Sequence, residues 1–286
     1  MKAFTIHLVA ALCALAAPGA PTQVFRSETH GISVDVAVFE GDHAARSLGL
    51  PNFDVDDNGV RQSLMAVDPN VLPIDLRLVF DTSGSITEDD LDRYRRAMKR
   101  VTATLLAGDR CEIVTFTTRV MDAARPQSPP VAIDLRRLEP DTTAFFDAVS
   151  LSLVNVRATD RRQIVIVLSD AQDNASFFDE ATLMTAARRT DAVVYTVLTK
   201  AAAQGDSPYV ARLQSLSLLT GGRLVVADRD AEIGAAIAAA LDEFRRSYVV
   251  RYTLHGVPPA GWHKLSVRVR GEHRYSVRAR TGYFGG

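Results

Sequence analysis

The chain has 286 residues and a mass of 31.1 kDa, enough to bury one large hydrophobic core and a small second one. Hydrophobic residues make up 47% and charged residues 23% of the sequence, as in an ordinary globular protein. The formal net charge is −1, so the chain has no overall basic field that would attract nucleic acid or an anionic membrane.

Residues 1–22 are predicted to form a secretory signal peptide. Lys2 gives a short positive start, and the apolar stretch from Phe4 to Ala17 is too brief to span a bilayer comfortably. Within it, Ala14-Leu15-Ala16 offers a cleavage site of the small-x-small type. A buried N-terminal helix or an uncleaved anchor is the alternative. We therefore expect a secreted, periplasmic or cell-envelope protein with no stable membrane span after cleavage.

Between residues 71 and 246, strand-like and helix-like segments alternate. The apolar segment 74–80 predicts a strand that ends at Asp81, and the β-branched run 163–168 predicts a central parallel strand with Asp170 just beyond it. Further strands are predicted at 111–116, 192–198 and 223–226, and helices at 86–106, 143–154, 179–189, 209–219 and 231–244. This alternation predicts a doubly wound α/β domain with a mainly parallel sheet, in which ligands bind beyond the carboxyl ends of the strands.

The two flanks, residues 23–70 and 247–286, have a different pattern. Apolar and polar residues alternate at 32–38, 264–270 and 274–280, which is typical of antiparallel strands with one solvated face. Because the flanks bracket the α/β unit, we expect them to meet in one small β-rich module. Arginines form a stripe along the last two strands. Such a stripe could bind a polyanion, but a solvated strand face is the favoured interpretation.

A calcium loop is excluded in the N-terminal flank. The spacing of Asp54, Asp56, Asn58 and Gly59 matches the first half of an EF-hand loop, but the twelfth position is Met65, where an EF-hand needs a bidentate Glu. The better interpretation is a hairpin with a tight turn at Asn58-Gly59.

Oxygen-bearing side chains occur where the predicted strands end. Asp81, Ser83 and Ser85 form a D-x-S-x-S motif, Thr143 opens a helix, and Asp170 follows the central strand. A hard cation such as Mg²⁺ binds about six oxygen ligands and usually keeps several waters. Two carboxylates and three hydroxyls meet that need. Because hydroxyls are neutral ligands, the ion keeps enough positive charge to attract a carboxylate from outside.

These motifs resemble the metal-ion-dependent adhesion site of von Willebrand factor type A domains. The likeness covers roughly residues 74–244 and includes the D-x-S-x-S motif at 81–85, a threonine loop at 142–148 and a third loop at 168–174. It implies that a metal ion is held, directly or through water, by Asp81, Ser83, Ser85, Thr143 and Asp170. The implied ion is Mg²⁺, with Mn²⁺ or Ca²⁺ as alternatives.

The flanks resemble those of the acidobacterial von Willebrand factor A-related family, which implies a bacterial source. The likeness is carried by strings such as Gly-Trp-His-Lys-Leu at 261–265 and by the segments 247–252 and 277–284. One position departs from the pattern. Many family members have glycine before the loop threonine, where this chain has Asp141 and Thr142. Asp141 either approaches the metal through another ligand or caps the helix.

The resemblance implies a protein-binding module rather than an enzyme. An exposed Asp or Glu of an unidentified partner protein would complete the coordination of the metal, and the surrounding loops would give specificity. One alternative is a metal-free structural domain of an envelope assembly. A metal-dependent hydrolase ranks below both, because no general base is evident beside an activated water. The partner and the oligomeric state are not specified by the sequence.

Overall fold

The computed structural model describes residues 31–69, 72–84, 87–127, 135, 142–154, 160–199, 208–227 and 232–285. The predicted signal peptide, Ser85 and Asp141 lie outside these residues. In chain order the strands are β1 (Gly31–Glu40), β2 (His43–Ala44), β3 (Phe53–Asp57), β4 (Val60–Arg61), β5 (Leu64–Pro69), β6 (Ile74–Asp81), β7 (Arg110–Phe116), β8 (Val120–Gln127), β9 (Arg162–Leu168), β10 (Val193–Thr199), β11 (Leu224–Ala227), β12 (Tyr248–Thr253), β13 (Gly261–Val269), β14 (Tyr275–Ala279) and β15 (Gly282–Gly285). The helices are α1 (Glu88–Thr102), α2 (Phe145–Val154), α3 (Glu180–Arg189), α4 (Pro208–Thr220) and α5 (Ile233–Arg246).

A six-stranded sheet forms the centre of the molecule. Its strand order is β11-β10-β9-β6-β7-β8. Every neighbouring pair is parallel except β7 and β8, which are antiparallel. The carboxyl ends of β6, β7, β9, β10 and β11 therefore lie at one edge. This arrangement confirms the predicted α/β domain with a mainly parallel sheet.

Helices cover both faces of this sheet, because alternate side chains of each strand point to opposite sides. In β6, Leu78 and Phe80 belong to a core shared with α1 and α5, whereas Val79 belongs to a core shared with α2, α3 and α4. All three side chains are fully buried. Burying one such side chain contributes about 1.5–3 kcal/mol, so each of these two cores stabilises the central domain substantially.

The helix after the D-x-S-x-S motif begins with a reciprocal cap. The Thr87 side chain accepts a hydrogen bond from the backbone N–H of Asp90, and the Asp90 carboxylate accepts one from the backbone N–H of Thr87 at 2.9 Å. Such a box satisfies two backbone donors that a helix start leaves without partners. The cap therefore fixes where α1 begins, only a few residues beyond Asp81.

Strands from the two ends of the chain pair with one another in antiparallel sheets. In one sheet β1 lies between β12 and β14, and in the other β13 lies between β3 and β15. Their apolar side chains form a third core, separate from those of the central sheet. β3 pairs with β4 across a turn in which Asn58 and Gly59 have φ values of 47° and 81°. Positive φ at both central residues is what a two-residue hairpin requires, so the predicted turn is confirmed.

These antiparallel sheets contact the central domain at the amino-terminal edge of its sheet. Arg162, the first residue of β9, pairs with Asp35 of β1 and stacks over the ring of Phe244 at 4.0 Å. Arg280, between β14 and β15, donates to the carbonyl of Thr190 just after α3 at 2.9 Å. Both arginines are almost fully buried. The contacts join the two regions at the end of the domain remote from the carboxyl edge.

The expectation that the arginine stripe faces solvent is wrong at its C-terminal end. Arg280 is 9% exposed, and Arg278 pairs with the buried Glu243 carboxylate at 2.6 Å. Arg268 and Arg270 match the expectation better, because their side chains are more than half exposed and pair with Asp56 and Asp54. A period-two pattern marks one face of a strand as polar, but it does not show whether another part of the chain packs on that face.

We expect Arg280→Met to lower the free energy of unfolding by about 3 kcal/mol, because the change removes the donors that satisfy the buried carbonyls of Gly282 and Thr190. Urea denaturation followed by circular dichroism measures the loss. Arg270→Met is the matched control, since its exposed ion pair contributes little. Equal losses in the two variants would show that the contact with α3 does not stabilise the molecule.

In the part of the chain that the structure describes, no helix combines the length and the apolar character needed to cross a bilayer.

Candidate metal site

Asp81 lies at the carboxyl end of β6 with its side chain almost completely buried. The residue is 2% exposed. Its Oδ1 accepts the backbone N–H of Ser83 at 3.0 Å, and its Oδ2 accepts the hydroxyl of Ser169 at 2.8 Å. Burial is the main cause that raises the pKa of Asp81, and the charge of Asp170 raises it further, against the hydrogen bonds, which lower it. The carboxylate is thus held in place but poorly solvated.

Asp170 follows β9, the strand next to β6 in the sheet. Phe80 is paired with Leu168, so Asp81 and Ser169 lie at the same level and Asp170 is one residue further out. The two Asp170 oxygens accept the backbone N–H and the side-chain amide of Gln172 at 3.0 and 2.9 Å. The next residue, Ala171, has a φ of 60°, which turns the chain sharply at this point.

Thr143 precedes α2 and is bound to the loop that follows Asp170. Its backbone N–H donates to the side-chain oxygen of Asn174 at 2.7 Å, and its carbonyl accepts the N–H of Asn174 at 3.0 Å. The N–H of Ala144 donates to the carbonyl of Thr117, just after β7, at 2.7 Å. The threonine loop is therefore joined to the loops after both β7 and β9.

The predicted site residues come from loops at one edge of the sheet. The structure places Asp81, Ser83, Thr143 and Asp170 at the carboxyl ends of β6 and β9 and at the start of α2. All except Asp170 are buried. The fifth predicted ligand, Ser85, lies outside the described residues.

Sequence reasoning assigned no role to several side chains that position these loops. Ser169 bonds Asp81, Asn174 bonds Thr143, and Asp173 accepts the N–H of Phe146 at 2.9 Å and the hydroxyl of Ser176 at 2.5 Å. The only signal for them was the polar composition of the loop 169–176. Ser, Asn and Asp are the residues that bond nearby backbone groups in such loops, but the partners they choose depend on the tertiary fold.

The donor set fits a hard divalent cation. Among the described residues, no Lys, Arg or His forms an ion pair with Asp81 or Asp170, so no cationic side chain in this part of the chain neutralises the two carboxylates. Nor do three or more His, Cys, Asp or Glu residues gather into a metal cluster anywhere in the described chain. The site therefore needs hydroxyl oxygens besides its two carboxylates, which suits Mg²⁺ or Mn²⁺ better than a thiolate-binding or imidazole-binding metal.

Residues 75–235 match the family model of the von Willebrand factor type A domain. This match spans more than half of the chain, and the chain belongs to that family. The predicted family is thus confirmed, whereas the acidobacterial subfamily remains a prediction. No curated protein sequence matches the chain.

The solved structures that match the chain include proteins from three different organisms. Proximal thread matrix protein 1 from the mussel byssus is 14% identical with a TM-score of 0.47, over 60% of this chain and 48% of that one. The chain thus spans about half the length of the mussel protein. The ArnB paralogue VWA2 from Sulfolobus acidocaldarius is 9% identical with a TM-score of 0.49, over 88% and 75% of the two chains. The manganese-loaded TRAP protein of Plasmodium vivax is 16% identical with a TM-score of 0.44, over 79% and 96%.

Proposed function

We propose that this chain is a metal-dependent protein-binding module. The observation that carries the proposal is the pair of carboxylates of Asp81 and Asp170. They follow the neighbouring strands β6 and β9 at the carboxyl edge of the sheet, and no cationic side chain among the described residues neutralises them. A bound divalent cation would neutralise this charge. Membership of the von Willebrand factor type A family supports the same interpretation.

The ion is held in this proposal by Asp81, Ser83, Ser85, Thr143 and Asp170. Mg²⁺ is the preferred ion, with Mn²⁺ or Ca²⁺ as alternatives, since all the proposed ligands are oxygens. The ion supplies a coordination position for a carboxylate of the partner. The protein supplies the orientation, because Ser169 holds the Asp81 carboxylate and Asn174 holds the Thr143 backbone.

Binding, and not hydrolysis, is the activity that this arrangement supports. Water activation needs a general base within hydrogen-bond reach of the water. The carboxylates of Asp81 and Asp170 already accept hydrogen bonds from Ser169 and Gln172. The remaining proposed ligands are hydroxyls, which are weak bases at neutral pH. The competing proposal, a metal-free structural domain of an envelope assembly, differs in one measurable respect: its contacts would not depend on a metal.

The immobilised protein is expected to retain a partner from a bacterial envelope extract in Mg²⁺ and to release it in EDTA. An Asp170→Ala variant, treated identically, should retain nothing above background in either buffer. The Asp170 side chain is hydrogen-bonded to Gln172 in a surface loop, so the variant is expected to keep its fold. It therefore serves as a folded control that lacks the metal site. A partner that stays bound in EDTA and to Asp170→Ala would favour the metal-free structural domain.

Two further parts of the proposal concern the rest of the chain. We propose that residues 1–22 direct export and are removed, and N-terminal sequencing that recovered Met1 from cytosolic protein would contradict this. We also propose that residues 23–70 and 247–286 form one module that attaches to residues 71–246. The antiparallel pairing of β1 with β12 and β14 supports it.

A further inference from the structure

We propose that Phe177 forms an apolar subsite beside the candidate metal site, and that the partner segment carries a large apolar side chain a few residues from its acidic one. This inference rests on the proposed function and extends it from a single carboxylate to a two-point contact. It is carried by the exposure of Phe177, by the way its loop is held and by its position.

Phe177 is the most exposed large hydrophobic side chain in the described part of the chain, at 92%. Its neighbour Phe178 is partly buried, and the two rings meet edge to face with centroids 5.9 Å apart. A phenylalanine that stays in water forgoes about 1.5–3 kcal/mol of burial energy. Folding therefore gains little from Phe177, and its exposure is what a binding anchor requires.

The loop that carries Phe177 is held firmly by hydrogen bonds. The backbone N–H groups of Phe177 and Phe178 donate to the two carboxylate oxygens of Asp147 at 3.0 and 2.8 Å. One residue earlier, Ser176 bonds both Asp147 and Asp173. The exposed ring thus projects from a fixed backbone and not from a fraying segment. Such preorganisation lowers the entropy that a partner must overcome on binding.

The same bonds place Phe177 near the proposed ligand Thr143. Asp147 lies in the first turn of α2, four residues after Thr143, and its carboxylate accepts the backbone N–H of Phe177. Asn174, three residues before Phe177, is bonded to Thr143 itself. Since an extended peptide advances about 3.3 Å per residue, a partner whose carboxylate reaches the metal can reach Phe177 with a side chain two to four residues away.

A second cluster, formed by Arg212, Phe146 and Tyr209, lies next to Ala171, the residue that follows Asp170. Arg212 donates to the carbonyl of Ala171 at 2.8 Å, and its guanidinium lies over the rings of Phe146 and Tyr209, 4.9 and 5.4 Å from their centroids. Tyr209 is 37% exposed. Aromatic and arginine side chains dominate the energetically important centres of protein interfaces. Arg212 and its two aromatic neighbours therefore add side chains of the kind that partner proteins bind next to the loop that follows Asp170.

The test uses immobilised nine-residue peptides with a central Glu in a Gly-Ser background, carrying one Leu at each other position in turn. In Mg²⁺ the wild-type protein is expected to bind at least one Leu peptide about ten-fold more tightly than the peptide without Leu, which is the effect of burying one such side chain. With Phe177→Ala the preference should disappear, while calorimetry shows unchanged Mg²⁺ affinity. Leu106→Ala is the matched control, since Leu106 is 56% exposed in the loop before β7, at the opposite edge of the sheet.

The outcomes separate the inference from the proposed function. Binding that requires Mg²⁺ and Glu but shows no Leu preference, or keeps that preference in Phe177→Ala, would overturn the apolar subsite and leave the metal-dependent function intact. A Leu preference that depends on Phe177 but persists in EDTA and with a central Gln would instead contradict the metal-dependent function. If no peptide binds in Mg²⁺, both are contradicted.

Discussion

Asp170→Ala is expected to abolish measurable Mg²⁺ binding while leaving the fold intact. Asp170 supplies one of the two carboxylates among the proposed ligands, and charge dominates the attraction for a hard cation. Among the described residues its side chain accepts hydrogen bonds from Gln172 alone, and it is not part of the cores described above. The loss of stability should therefore stay within about 1 kcal/mol, as for other substitutions away from the core.

For Asp81, replacement by Asn is a better test of metal binding than replacement by Ala. Asp81→Ala would leave the backbone N–H of Ser83 and the hydroxyl of Ser169 without their acceptor in a buried place, so a loss of binding could be confused with unfolding. Asp81→Asn removes the charge, keeps one oxygen acceptor for the backbone N–H of Ser83, and replaces the other oxygen by an NH2 group that can donate to the Ser169 hydroxyl. It should also abolish Mg²⁺ binding. Ser83→Ala should weaken binding less, because a water can replace a neutral hydroxyl ligand.

The raised pKa of Asp81, caused mainly by burial, adds a pH dependence to this prediction. Without metal, and at a pH between the two pKa values, Asp81 is protonated in the folded state but already ionised in the unfolded state. Stability is therefore greatest below the ordinary pKa of an aspartate and falls as the pH rises through the higher pKa of the folded state. The Asp81→Asn protein lacks this fall, so at pH 7 in EDTA it should melt at a higher temperature than the wild type.

Calorimetric titration of Mg²⁺ and Mn²⁺, with a melting curve for each variant at pH 4.5 and 7, measures all of these effects. Saturating Mg²⁺ should raise the melting temperature of the wild type and leave Asp170→Ala and Asp81→Asn unchanged. Equal Mg²⁺ affinity in the wild type and Asp170→Ala would place the ion elsewhere, and the assignment of the site would have to be abandoned.

Asp57→Ala is expected to cause the largest loss of stability among the substitutions considered, about 4 kcal/mol. The Asp57 side chain is fully buried at the end of β3. It accepts the hydroxyls of Tyr252 and Tyr283 at 2.8 and 2.9 Å and bonds Nδ1 of His263 at 2.8 Å. Removing it leaves three polar groups without this partner in the interior, each at a cost of about 1–3 kcal/mol.

The two buried tyrosines must stay protonated to donate hydrogen bonds to Asp57. Burial raises the pKa of both Tyr252 and Tyr283, and the hydrogen bond to Asp57 acts in the same direction, so both hydroxyls stay protonated donors. Tyr283 also stacks on the ring of His263, with centroids 4.6 Å apart. The four residues come from four strands, β3, β12, β13 and β15, and so hold the two antiparallel sheets together.

Asp56→Ala is the matched control for Asp57→Ala. The two residues are adjacent in β3, but Asp56 faces the other side and pairs with Arg61 and Arg268, both at least half exposed. Exposed ion pairs contribute little, so the loss should be much smaller than for Asp57→Ala. Denaturant unfolding of both variants measures the difference. Losses of similar size would show that the Asp57 network does not stabilise the antiparallel sheets.

The central domain could be predicted well because each of its strands is marked by the residues of that strand alone. The run 163–168 is apolar throughout, as a strand covered on both faces must be, and it is found as β9. The polar residues Asp81 and Asp170 follow two such strands directly, and parallel strands bring their ends to one edge. Asp81 and Asp170 could therefore be placed near one another without knowledge of the packing, whereas Thr143 opens a helix and was assigned to the site by the resemblance.

The Asp57 network could not be predicted in the same way. His263 showed no ligand spacing in the sequence, and its partner Asp57 is 206 residues away. Asp57 itself lay in a run of acidic residues that imitates a calcium loop. Contacts between strands from opposite ends of the chain depend on register, which period-two patterns leave open. The burial of Arg280 and the ion pair of Arg278 with Glu243 were missed for the same reason.

The attachment of the antiparallel sheets at the amino-terminal edge gives the molecule two opposite poles. Arg162 and Arg280 form contacts at one pole, and Asp81 and Asp170 lie at the other. Between them runs the length of a strand such as β6, with eight residues and hence about 26 Å. A surface or scaffold that held the protein by its antiparallel sheets would leave the carboxyl edge of the central sheet, with the candidate metal site, pointing outward. Anchorage and partner capture would not compete for the same surface.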